Sequence, residues 1–235
     1  MRQVVLDTET TGLEPSQGHR IIEIGCVELI NRKFTGRTYH QYIKPERAVD
    51  AEAMEVHGIT DEFLMDKPLF AQIAPAFFEF IRGSQLVIHN APFDVGFINH
   101  EFKWLKEAQG ADFGRVEDHC QILDTLVMSR KMHPGSRHSL DALCKKYGID
   151  NSHRELHGAL LDSEILADVY LMMTGGQTDL NLASDSEGGG KNGDSTTIRR
   201  LATGRQPLAI MMADDDEIAR HNKKIESIDG LWSQL

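Results

Sequence analysis

The chain has 235 residues, 40% of them hydrophobic and 26% charged, and a formal net charge of −11. That length allows one domain of about 150–200 residues plus an appendage; the composition excludes a fibrous or largely disordered chain, and acidity on both sides of Thr174 argues against a protein that grips nucleic acid by a broad basic face. No apolar run reaches the roughly 18 residues of a membrane span and MRQVVLDTET has no signal-peptide character, so a cytoplasmic protein with no membrane partner is expected.

Short β-type runs alternate with helical patterns up to Thr174, the signature of an α/β domain. Strands are predicted at Arg2 to Asp7, Ile21 to Leu29, Arg37 to Ile43, Gln85 to His89 and Cys120 to Asp124. Turn-rich segments separate the first three, which favours an antiparallel meander, whereas helices precede the last two; the sheet is therefore mixed. Helices are predicted at about Leu69 to Ile81, Pro92 to Lys106, Ser139 to Tyr147 and Leu156 to Met173. Pro75 requires the first of these to begin there or to kink. In the second, Asn90 is an N-cap candidate and Pro92 falls in the opening turn, which leaves Asp94 where the helix dipole favours negative charge. Cys26, Cys120 and Cys144 are widely separated and form no CxxC, as expected of reduced core residues.

Beyond Gly175 the composition changes. Residues 183–197, ASDSEGGGKNGDSTT, form a flexible linker with no apolar anchor. PLAIMMA (207–213) and ADDDEIARHNKKIESI then predict a strand-like run and an N-capped helix with an acidic first turn and a basic end. A segment this small cannot bury Trp232 and Leu235 by itself, so it is expected to fold against a partner. The divisions are 1–174, 175–197 and 198–235.

The chemistry is concentrated in a few carboxylates. Residues i and i+2 of a strand share a face, so Asp7 and Glu9 stand side by side. At about 4 Å two such charges repel by roughly 4 kcal/mol even at an effective dielectric near 20. Either water at the strand end solvates them or a cation compensates. HNAPFD delivers Asp94, and HGALLD delivers Asp162, to element ends as well. Each alone reads as an ordinary cap, but four together, without cysteine, suit a hard divalent ion such as Mg²⁺ or Mn²⁺ shared with phosphate oxygens. A phosphate ester is the expected substrate.

LDTETTGL with Asp7 and Glu9, HNAPFDVGF with Asp94, and HGALLD with His157 and Asp162 resemble the three motifs of the DnaQ-like 3′–5′ exonucleases, in the right order and spacing from about Arg2 to Thr174. The resemblance implies a ribonuclease H-like mixed sheet flanked by helices, and a two-cation hydrolysis of the terminal phosphodiester. His157, five residues before Asp162, matches the histidine branch of the family. Asp7 would bridge the ions, Glu9 and Asp162 would complete one shell, and Asp94 would hold the second ion. His157 would take the proton of the attacking water. VHGIT (56–60) with Glu52 is similar to the segment lining the terminal-nucleotide pocket, with Glu52 and His57 at the matching positions. Thr10, Gly12 and Leu13 follow the acids in a turn fit to hold the last nucleotide, beside Asn90 and Phe93, whose ring can pack on a base.

Cations in place of lysines would neutralise phosphate at such a site. Weak intrinsic affinity for a single-stranded or frayed DNA 3′ end follows, and tethering to a DNA-bound partner would supply effective concentration instead. The linker and tail are similar to those of replicative proofreading members of the family, in which the C-terminal segment binds the polymerase (alpha) subunit of bacterial DNA polymerase III. QTDLNL (177–182) is similar to short sliding-clamp-binding peptides through Gln177, Leu180 and Leu182; it also reads simply as the start of the linker. The expected function is DNA proofreading with release of deoxynucleoside 5′-monophosphates. The alternatives are an RNA-trimming exonuclease of the same family and a non-catalytic polymerase–clamp scaffold.

Overall fold

A computed structural model describes residues 1–152, 154, 156–175 and 213–227. The chain divides into two units, residues 1–181 and 182–235. The first holds five strands, β1 (Arg2–Thr10), β2 (Ile21–Ile30), β3 (Lys33–Tyr42), β4 (Gln85–Ile88) and β5 (Gln121–Asp124). Its helices are α1 (Ala51–His57), α2 (Asp61–Leu64), α3 (Phe70–Ile81), α4 (Ala91–Gln109), α5 (Val116–His119), α6 (Thr125–Met132), α7 (Leu140–Tyr147) and α8 (Ala159–Gly175).

The sheet order is β3-β2-β1-β4-β5. β1 pairs antiparallel with β2, as β2 does with β3, while β1/β4 and β4/β5 are parallel. The mixed sheet follows from connection length: β2 and β3 are joined by two residues, Asn31 and Arg32, both at positive φ, the backbone a tight hairpin needs. The parallel strands require helical crossovers. β3 accordingly begins four residues before the predicted Arg37, because NRKF is hairpin and not loop.

Alternation along β1 divides the core into two layers. Val4 and Leu6 pack with Phe70, Phe77, Phe97 and Phe102 of α3 and α4. Val5 faces the other way, onto Leu166, Ala167 and Tyr170 of α8. Each fully buried phenylalanine contributes about 1.5–3 kcal/mol relative to exposure. The period of two then carries Asp7 and Glu9 onto the α8 face and Thr8 onto the α4 face at the strand's C-terminal end.

Two local expectations are corrected, and for α3 the alternative that it begins at Pro75 is removed. α3 starts at Phe70 and runs through Pro75, which sits inside the helix and leaves the Ala71 carbonyl without that bond. Asn90 occupies the N-cap position of α4 but lies in the left-handed region, φ 68°, and its side chain makes no cap hydrogen bond. α8 begins at Ala159, which leaves Leu156 and His157 in the preceding loop. The three cysteines are free and buried.

In the second unit the described element is α9 (Asp215–Ser227), close to its predicted place. Its start is a reciprocal cap: Glu217 N–H donates to Asp214 Oδ1 (2.7 Å) and Asp214 N–H to Glu217 Oε2 (3.2 Å). The expectations for the linker, the clamp peptide with Gln177, Leu180 and Leu182, PLAIM and Trp232 lie outside the described residues. Among the described residues no helix is long and apolar enough to cross a membrane.

Candidate active site

The four acids reach one place by different routes. Asp7 and Glu9 leave the end of β1, while Pro92 opens α4 so that Asp94 falls in its first turn. Asp162 stands in the first turn of α8. Gly25 of β2, opposite Asp7, is what lets α8 come this close. A Cβ there would lie 2.2 Å from the Ala159 carbonyl carbon and the Leu160 nitrogen. Ser163 Oγ fastens the approach by donating to the Gly25 carbonyl at 2.9 Å. A glycine inside a strand is the sequence signal of such close backbone contact.

Asp7, Glu9, Asp94, Asp162, His157, Asn90 and Phe93 line one cavity of about 330 Å³. Within it, ligating atoms of Glu9, His157 and Asp162 lie within 4.8 Å of one another. Asp7 and Asp94 border the same cavity outside that closest group. Thr8 Oγ1 donates to Asp94 Oδ1 at 2.7 Å and orients it. The donors are carboxylate oxygens and one imidazole with no thiolate, which fits hard divalent cations.

Electrostatics makes the same demand. Burial, and then the charges of Asp94, Glu9 and Asp162, hold the Asp7 carboxyl well above the ordinary range. Burial followed by Asp162 and Glu23 pushes Glu9 to about 8, and burial pushes Asp94 to about 7. Without added positive charge these groups retain protons near neutrality. His157 is held below its ordinary value by burial and by the Arg154 guanidinium, which donates from Nη2 to the ring's Nδ1, so the ring is neutral and can take a proton at Nδ1 once that bond opens.

A second cavity of about 500 Å³ adjoins the first, sharing Thr8, Glu9 and Phe93, and is also lined by Thr10, Gly12, Leu13, Glu52 and His57. Ile59 N–H donates to His57 Nδ1 at 3.0 Å, so the neutral ring carries its hydrogen on Nε2. That atom is buried and makes no well-formed hydrogen bond, the Thr10 carbonyl being only a weak partner, so it is a donor suited to a bound ligand. Thr10 Oγ1 donates to the Gly12 carbonyl at 2.7 Å. The His19 ring lies under Gly12, where a Cβ would come within 2.3 Å of Cε1.

The two cavities are joined mechanically. His157 N–H donates to the Val56 carbonyl of α1 at 3.2 Å, and Leu156 occupies the space a Cβ on Gly58 would fill. The helix bearing Glu52 and His57 therefore also holds the loop bearing His157. Sequence reasoning missed Arg154, Thr8, Gly25, His19 and Glu23. Glu23 lies opposite Glu9, and its Oε1 meets His40 Nε2 at 2.7 Å. The signals were slight: a glycine amid IIEIGCVELI, and an arginine three residues ahead of His157.

Comparison with known proteins widens this local picture. A family model described as Exonuclease (RNase_T) matches residues 4–170. The DNA polymerase III subunit epsilon of Escherichia coli (strain K12) is 51% identical over 231 residues, 97% of this chain and 93% of that protein. The subunit of the same name from Pasteurella multocida (strain Pm70) is 60% identical over 183 residues, 76% of this chain and 70% of its own length. A solved structure of exonuclease X in complex with 5′-overhanging duplex DNA is similar with a TM-score of 0.55 and 26% identity, covering 74% of this chain and 91% of that one. The matched span runs from the strand of Asp7 and Glu9 to the helix of Asp162, and on it the chain belongs to the RNase_T exonuclease family.

Proposed function

We propose that this chain is the proofreading 3′–5′ exonuclease of a replicative DNA polymerase, excising mispaired nucleotides from a DNA 3′ end as deoxynucleoside 5′-monophosphates. The observation that carries the reading is the pair of adjoining cavities, one acidic with His157 at its wall and one holding the unsatisfied His57 donor. The epsilon subunits, similar over nearly the whole chain, support the association with DNA polymerase III.

Asp7, Glu9, Asp94 and Asp162 would hold two divalent cations, Mg²⁺ or Mn²⁺. When bound, such ions supply Lewis-acid charge at the attacking and leaving oxygens of an in-line displacement. The remaining work belongs to the chain. Thr10, Gly12, Leu13, Glu52 and His57 receive the terminal nucleotide, and Phe93 lies between the two cavities to pack on it. Thr8 fixes Asp94. His157, neutral and partly exposed to the cavity, accepts the proton of the attacking water.

Residues 198–235 would bind the polymerase (alpha) subunit, and 177–182 the sliding clamp. In the cytoplasm this tether would replace intrinsic DNA affinity. The test is digestion of 3′-mispaired and paired DNA primers and a matching RNA, with and without EDTA. Mispaired DNA should be trimmed fastest and EDTA should stop the reaction. RNA trimmed faster than DNA would favour the RNA-processing alternative, and no digestion at all would favour the scaffold.

A further inference from the structure

Arg154 is engaged at the acidic cavity by more groups than packing requires. Its side chain is only 7% exposed. Nε donates to Asp162 Oδ1 at 2.5 Å and Nη2 to Asp162 Oδ2 at 2.7 Å, a two-pronged fork. Nη1 donates to Asp141 Oδ1 on α7 at 2.8 Å, and Nη2 reaches His157 Nδ1 at 3.1 Å. One guanidinium thus ties α7, α8 and the His157 loop together. Among the described residues lining this cavity it is the one permanent cation, and guanidinium is held by a carboxylate in the geometry that makes arginine the better of the two basic residues for such a fork.

The charge has a consequence for cations. Four crowded carboxylates repel one another once ionised, and Arg154 offsets part of that repulsion at Asp162. A divalent ion arriving at Asp162 meets the same oxygens already engaged and a like charge beside them. We propose that Arg154 is a positioning residue that stands in for divalent charge at Asp162, anchors the loop bearing His157, and yields part of its hold, with the Nδ1 lone pair of His157, when cations enter. This rests on the functional reading above. It separates Arg154 from a purely structural arginine, because the fork and the incoming ion compete for one carboxylate.

The opposing signs make the idea testable. In R154Q the competing charge is gone, so Mn²⁺ affinity measured by calorimetry or electron paramagnetic resonance should rise at least tenfold. Turnover should fall at least tenfold with KM little changed, because the loop bearing His157 is no longer anchored to α7 and α8. The melting temperature should fall in EDTA but approach wild type in saturating Mn²⁺. R154K keeps the charge without the fork, and its Mn²⁺ affinity should stay within about threefold of wild type.

Should R154Q not fold, the wild-type protein still decides. The Arg154 Nε–H resonance, assigned by its loss in R154K, should shift on adding Mg²⁺. A resonance unmoved at saturating Mg²⁺ would overturn the proposal. So would Mn²⁺ affinity in R154Q that is equal to or weaker than wild type, or equal losses of melting temperature with and without Mn²⁺. Wild-type protein that binds no Mn²⁺ would instead remove the functional reading beneath it.

Discussion

Gly25→Ala is the sharpest test of how the fold builds the site. The added methyl would lie 2.2 Å from the Ala159 carbonyl carbon and the Leu160 nitrogen, and 2.3 Å from the Ala159 oxygen. These are backbone atoms at a helix start, with no rotamer to relieve the clash. Reaching the 3.4 Å where ordinary contact begins requires the end of α8 to retreat about 1.2 Å. Asp162 lies three residues into that helix and moves with it, and the Ser163 hydrogen bond to Gly25 lengthens. Misplacement of a reacting group by about 1 Å costs about 10²-fold in rate, whereas overpacking costs about 1–3 kcal/mol of stability. The expected variant is folded at 25 °C and slower by about 10²-fold on a mispaired primer. Stability is read by thermal melting and rate by release of the terminal nucleotide. Turnover within twofold of wild type in folded protein would refute the placement argument.

Three further outcomes follow from the same geometry. His157→Ala should lower turnover by about 10²–10⁴ and change the pH–rate profile; an unchanged profile would exclude His157 as the base. In EDTA, stability should fall as pH rises from about 5 to 8.5. Burial raises Glu9 from 4.5 to about 8 and Asp94 from 3.8 to about 7, so the folded state binds the extra protons and their contribution is lost as pH rises through those values. Mg²⁺ should remove most of that slope, and a slope of opposite sign would contradict the account. Deleting residues 198–235 should spare digestion of short single strands and end co-purification with the polymerase subunit; persistent co-purification would contradict the tail's role.

Much of this was legible before any coordinates. The period of two put Asp7 and Glu9 on one face, and Pro92 marked the helix that delivers Asp94. The acidic run ahead of IARHNKK marked α9 and its cap. What escaped has a common cause. α1, α2 and α5 span seven residues or fewer, too short for a helical period to register against turns, and α6, no shorter than the predicted α7, follows β5 with no turn between them to mark its start. Gly25, a glycine inside a strand, hints at a close backbone contact but does not name the helix start that packs on it. Arg154 meets partners 3, 8 and 13 residues away whose meeting depends on the loop between α7 and α8. Asn90 carries the residue type of an N-cap, but its left-handed backbone prevents the cap bond. Local patterns report faces and ends; contacts between ends need the fold.

The central claim is that carboxylates from β1, α4 and α8 hold a pair of divalent cations. It is tested most directly by counting Mn²⁺ ions bound per chain, by electron paramagnetic resonance, in wild type and in Asp7→Asn. Two ions in the wild type, with both weakened in the variant, is the predicted result. A single ion, or two whose affinity the Asp7 substitution leaves untouched, would contradict it.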